Sequence, residues 1–237
     1  MPIYQIAGLN ISINPFYENT QQRLLTYMTT DENFDFEVSV SQEDIAQYIF
    51  HSKTYCTQEG AENILILTEI CNRLLGGYDG FFFHSSSLIL DGKAYVFTAV
   101  SGTGKSTHTA LWRKHFGERV TMINDDKPVI RRIAGRFFIC GTPWMGKSEI
   151  GNNVKAPIKA IYILRRSEKN YVEKVSVGQY FKNILEATVI PQDKENMGKL
   201  LTLLDGLFSE VPLFVLYCNM EEGAVTTAYN AVNKGDL

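Results

Sequence analysis

The stretch Ala99-Val-Ser-Gly-Thr-Gly-Lys-Ser-Thr107 constrains this chain more than any other. Gly102 and Gly104 let consecutive backbone N–H groups turn inward, Lys105 adds a positive charge, and Ser106 adds a hydroxyl. Amides, an ammonium and a hydroxyl within one turn are what a polyphosphate and its divalent cation require. The pattern Gly-x-x-x-x-Gly-Lys-[Ser/Thr] is met except at its first position, where Ala99 replaces glycine and needs a negative φ. Residues 93–98 read as a strand and 107–115 as a helix, with Ala110, Leu111 and Trp112 on its buried side. Strand, glycine loop and helix would set phosphates at a helix N-terminus, whereas a merely structural glycine turn needs neither the lysine nor the helix. The nucleotide-binding residues expected are therefore Ser101, Gly102, Thr103, Gly104, Lys105, Ser106 and Thr107.

The approach to this loop is unusual. Ser87-Leu-Ile-Leu90, the pair Asp91-Gly92 and residues 93–98 form the strongest hairpin signal in the chain. Ordinary phosphate-loop folds enter the loop from parallel βαβ units, so an antiparallel hairpin narrows the choice of fold.

Beyond the loop, Asn124-Asp125-Asp126 ends the apolar strand read over 119–123. An acidic metal ligand belongs at that place, and two adjacent carboxylates can divide metal binding from proton acceptance. In isolation such a pair is more often a surface turn. His84 follows Phe81-Phe82-Phe83, a setting as suited to a packed core histidine as to a catalyst. His51, His108 and His115 read as surface or helix-face residues. Residues 140–147, Cys-Gly-Thr-Pro-Trp-Met-Gly-Lys, have the chemistry of a substrate lid with Lys147 as a movable cation, or of a loop whose Trp144 plugs the core.

At 237 residues the chain suits one α/β domain plus an appendage. A net charge of −3 without a basic stripe argues against a nucleic-acid partner. No apolar run reaches spanning length and the N-terminus lacks a signal-peptide pattern, so a cytoplasmic protein with no membrane partner is expected. Cys56, Cys71, Cys140 and Cys218 are widely spaced and read as small buried residues rather than zinc ligands.

Residues 1–60 carry short alternating stretches, at 4–11 and 37–41, and read as a small β-rich N-terminal lobe. Residues 61–237 read as the nucleotide-binding domain with C-terminal helices. Within them a helix over 62–75 stopped by Gly76-Gly77, strands over 136–141, 160–165 and 212–218, and helices over 176–187, 195–209 and 221–232 are predicted.

With hairpin, loop, aspartate pair and His84 together, the chain resembles the HPr kinase and phosphoenolpyruvate carboxykinase superfamily across residues 80–170. The wording Ser-Gly-Thr-Gly-Lys-Ser-Thr-His-Thr-Ala-Leu-Trp, Ile-Asn-Asp-Asp-Lys-Pro and Gly-Thr-Pro-Trp-Met-Gly-Lys is similar to compact HPr-kinase-related, serine kinase-like bacterial proteins. The resemblance implies an α/β fold with a phosphate-loop core of the HPr kinase/carboxykinase type, its mixed, hairpin-containing sheet flanked by helices. It implies an ATP- and Mg²⁺-dependent kinase, with Mn²⁺ an alternative metal, that phosphorylates a hydroxyl, most naturally serine of a peptide, a protein or a free amino acid. By the resemblance, Ser106 and one aspartate would hold the metal while the other aspartate and His84 face the acceptor; it does not fix which aspartate is base, and we assign Asp125 as base, Asp126 to the metal, and Lys147 of the 140s loop to the transferred group. Relatives often assemble, so a homo-oligomer is among the expected partners. Residues 138–144, Phe-Ile-Cys-Gly-Thr-Pro-Trp, replace the Glu-Ile-Arg-Gly-Leu-Gly stretch of HPr kinase/phosphorylases, so that activity is not expected; carboxykinases proper are much longer and use additional arginines for carboxylates, so theirs is not expected either. The reading from another class is a nucleotide-binding regulatory module that transfers nothing.

Overall fold

The computed structural model describes residues 1–233. Strands β1 (Ile3–Ile6) and β2 (Leu9–Ile13) form an antiparallel hairpin through Ala7-Gly8, both at positive φ. Helix α1 (Glu18–Leu24) follows, and β3 (Phe36–Val38) returns parallel to β2. Helix α2 (Gln42–His51) starts at a capping box between Ser41 and Asp44, and α3 (Gln58–Gly77) at the Thr57 hydroxyl, which accepts from Gly60 N–H. The N-terminal segment is thus helical as well as β. Helix α3 begins a turn before the predicted start and continues through Gly76-Gly77 instead of stopping there. A Cβ on either glycine would meet nothing within 4 Å, so both lie on an open face where the helix tolerates them.

Strand β4 (Gly80–Phe82) leads to the hairpin of β5 (Ser86–Leu90) and β6 (Lys93–Thr98). Its turn residues Asp91 and Gly92 lie at φ 50° and 73°, the two positive values that a type I′ turn needs. After the glycine loop come α4 (Lys105–Phe116), β7 (Val120–Asn124), β8 (Val129–Ile133) and β9 (Arg136–Cys140). The chain closes with β10 (Lys155–Arg166), β11 (Tyr171–Val175), α5 (Val177–Glu186), α6 (Lys194–Glu210), β12 (Leu213–Cys218) and α7 (Gly223–Asn233). Strands β4, β8 and β11 were not predicted.

The architecture is mixed α/β: a curled sheet flanked by helices, plus the small separate sheet of β1, β2 and β3. Strand β10 makes the curl. Its first residues pair antiparallel with β9, the register breaks between Ile158 and Ala160, and the rest runs parallel between β6 and β12. Alternation along the strands fills two cores. Tyr95, Phe97, Tyr162 and Leu164 face Trp112 of α4 and Val225 of α7, whereas Val96, Ile161 and Ile163 face the layer holding Ile70 of α3 and Leu204 of α6. On α4 it is Lys105, His108, Thr109 and Trp112 that are buried, and Ala110 is exposed, contrary to expectation.

The small sheet shares the second of these cores through Tyr4, Ile6, Ile11 and Ile13. It is also tied by polar contacts. Arg131 donates to the Ala7 and Tyr78 carbonyls at 2.8 and 3.1 Å. The buried Glu62 carboxylate accepts the Phe16 N–H at 2.5 Å. No helix among the described residues is long and apolar enough to cross a membrane.

Candidate functional site

The turn between β6 and α4 holds Gly102 at φ 78° and Gly104 at φ 120°, conformations that L side chains rarely adopt. Ala99 is not among the positive-φ residues, in keeping with its substitution for glycine. Lys105 opens the helix, is 8% exposed, and donates from Nζ to the Ala99 carbonyl at 3.2 Å. Burial pushes its ammonium below the usual lysine range and the charge of Lys127 adds to this, while the Asp126 carboxylate works the other way. Ser106 and Ser101 are exposed at the mouth of the turn.

From the far side Arg166, at the end of β10, donates to the Gly102 carbonyl at 2.5 Å and the Thr103 carbonyl at 3.3 Å. Sequence reasoning missed this residue. It lies more than sixty positions away, and only the parallel pairing of β10 with β6 brings it to the loop.

Asn124 shapes the acidic pair. Its side-chain oxygen accepts the Asp126 and Lys127 N–H groups at 2.8 and 2.9 Å, and its amide donates to the Thr142 carbonyl at 2.9 Å. This turn sends the two carboxylates to different partners. Asp125, 6% exposed, accepts the Gly146 N–H at 2.8 Å and the Ser148 hydroxyl, so both of its oxygens hold the loop after Trp144. Asp126 meets His84, whose Nε2 lies 3.1 Å from its carboxylate, and Lys127, whose Nζ lies at 3.2 Å. Burial works to raise the Asp126 pKa, but the bonds and charges of His84 and Lys127 outweigh it and hold the carboxyl below the usual range. Asp125 is thus engaged by the loop after Trp144, and Asp126 is the carboxylate beside His84 whose charge acts on Lys105.

Trp144 is 6% exposed, packs edge-on against Phe82 at 5.7 Å, and leaves its indole N–H without a partner. Of the two readings of this loop, the core plug holds for the tryptophan. Lys147 is exposed and makes no ion pair among the described residues, and nothing draws it to the loop of Lys105. His108 is 3% exposed rather than on the surface. Its Nε2 accepts from the Trp112 indole at 3.0 Å, and burial pushes its pKa down to about 4. His115 pairs with Glu222, and His51 is exposed. All four cysteines are free.

Two clefts flank the glycine turn. One, of about 540 Å³, runs from His84 along residues 99–103 to the end of β10 and to Asn183 and Glu186 of α5. The other, of about 810 Å³, lies between Thr107, Leu111, Leu164 and Met220. Among the described residues no group of three or more His, Cys, Asp and Glu is placed to hold a metal. Mg²⁺ carried on phosphates needs only one or two protein oxygens and keeps several waters, so Ser106 and Asp126 are a donor set of the right kind.

No family model matches this sequence, and no curated protein matches it. Among solved structures, the HPr(Ser) kinase/phosphatase from Coxiella burnetii is similar at 11% identity and a TM-score of 0.37, covering 65% of this chain and 94% of that one.

Proposed function

We propose that this chain is a phosphotransferase that moves the γ-phosphoryl group of ATP to a hydroxyl. The observation carrying this reading is that the His84–Asp126 pair stands at a buried lysine on a glycine turn, with Asp126 near enough to act on the Lys105 charge. The turn's backbone amides and Lys105 would hold the β- and γ-phosphates, at the start of a twelve-residue helix. The apolar cleft beyond Thr107 would take the nucleoside. Mg²⁺ on the triphosphate, reached by Ser106 and by Asp126, would neutralise charge that builds on the phosphate oxygens.

The remaining work falls to the chain itself. Asp126, oriented by His84, accepts the acceptor's hydroxyl proton as the new O–P bond forms and the bond to the β,γ-bridging oxygen breaks, leaving ADP. Asp125 positions the loop after Trp144. Lys105 and Lys127 lower the energy of the transferred charge.

Incubation with ATP and Mg²⁺, alone and with amino acids, serine-containing peptides or a cell extract, tests the reading through ADP release and phosphorylated product. Acceptor-dependent ADP release that disappears in Lys105→Ala supports it. Tight ATP binding with no ADP under any of these conditions would replace it by a regulatory nucleotide module.

A further inference from the structure

The cleft beside His84 contains charged groups that phosphoryl transfer alone does not use. Ile163 belongs to the core on the α5 side and Leu164 to the opposite core, so strand alternation puts Arg165 on the face of Ile163. Arg165 is half-buried, lines this cleft as well as its neighbour, and no hydrogen bond or ion pair engages its guanidinium among the described residues. Opposite stand Asn183 and Glu186, one turn apart on α5. The ion-pair partner of Glu186 is the exposed Lys182, at 3.8 Å. The end of α5 is stitched to the site, because His84 N–H donates to the Ala187 carbonyl at 2.6 Å and Phe83 bridges to Thr188.

A guanidinium, a carboxylate and a side-chain amide therefore border one cleft with His84, and behind His84 stands its partner Asp126. We propose that this cleft selects a free hydroxy amino acid, with Arg165 taking the α-carboxylate and Glu186 and Asn183 the α-ammonium. Its side-chain hydroxyl is then the group left for Asp126. The inference rests on the phosphotransferase reading above. In the step, the side-chain oxygen bonds to the γ-phosphorus, the bridging oxygen leaves with ADP, and the hydroxyl proton goes to Asp126. A residue inside a peptide offers neutral amides in place of both charges, and the Arg165 guanidinium, left without a partner, would penalise it.

The test uses the full chain with a non-hydrolysable ATP analogue and Mg²⁺, titrated calorimetrically with L-serine, L-threonine and L-homoserine, each compared with its α-amide and its N-acetyl form. Steady-state phosphorylation of the same panel accompanies the titrations. The best free amino acid should bind at least about tenfold more tightly than either derivative. Arg165→Ala should abolish the preference over the amide and keep that over the N-acetyl form, and Glu186→Gln should do the reverse, with the KM for ATP unchanged in Glu186→Gln. An N-acetyl amide or a serine peptide that binds as well as the free amino acid overturns the proposal. So does a rise in the KM for ATP in Arg165→Ala, which would give the guanidinium to the nucleotide. Were the wild type to phosphorylate nothing, the phosphotransferase reading would fall, and the binding preferences alone would decide the cleft.

Discussion

The glycine turn and the cleft wall facing it border the same space, yet the chain builds them in opposite ways. The turn is local: residues 99–107 carry its amides, its lysine and its hydroxyl, and the hairpin before it is announced by Asp91-Gly92. The wall is assembled from Arg165 at a strand end, Glu186 on a kinked helix and His84 after a short strand, none of them neighbours in sequence. A function that uses a common cofactor can sit in one contiguous stretch. Recognition of an acceptor by the wall, as proposed, would depend on sheet register.

The contrast is open to attack from several sides. Lys105→Ala strikes the local half and should lower turnover by about 10³-fold or more while circular dichroism stays that of the wild type. Retained turnover would remove the turn from the chemistry. Asp126→Asn should cost about 10²–10⁴-fold in kcat, the range for a lost general base. Asp125→Asn should cost about tenfold at most, felt mainly in the acceptor KM through the loop it holds. The reverse ranking in steady-state kinetics would hand the base back to Asp125.

Trp144→Ala should destabilise the fold by about 3–5 kcal/mol in urea titration, as a buried indole is removed, without changing nucleotide affinity of the folded protein. Trp144→Phe should be much milder, since the indole N–H has no partner to lose. A weakened nucleotide affinity in the folded variants would return the tryptophan to the ligand.

The smallest effect concerns His108, whose folded pKa of about 4 lies below its ordinary 6.5. Between these values the unfolded chain binds a proton that the folded chain refuses. The associated stability is therefore full above pH 6.5 and declines as pH falls towards 4, by about 2 kcal/mol between pH 7 and 5. Urea midpoints at the two pH values should differ less in His108→Gln than in the wild type. Equal differences would show that the ring does not resist protonation.

What could be read from the sequence follows the same division. Helix α6 has clean helical periodicity, strands β6 and β12 are short, mostly apolar runs, and the structure forms each close to where the sequence places it. Strand β8 hid because Arg131-Arg132 interrupts its apolar run, and Arg131 is accommodated by the carbonyls of Ala7 and Tyr78 and by the Tyr78 ring. Strand β4 is three residues buried on both faces, too short to show alternation. Helix α2 carries mostly exposed side chains, so its best signal was the Ser41–Asp44 cap. At the site, the Asp-Asp pair was visible but its division of labour was not. That division depends on Asn124 turning the backbone and on Gly146 and Ser148 arriving from a loop twenty residues on. Arg165 and Arg166 were invisible as site residues, because adjacent arginines at a strand end look like ordinary solvated charge.

The clasp of Arg166 on two loop carbonyls has a thermodynamic consequence. A peptide unit is planar, so anchoring the oxygen of Thr103 also fixes the direction of the Gly104 N–H on its opposite edge. The turn is then ordered by the protein's own cation, and if it binds an anion as proposed, little conformational entropy would remain to be lost on binding.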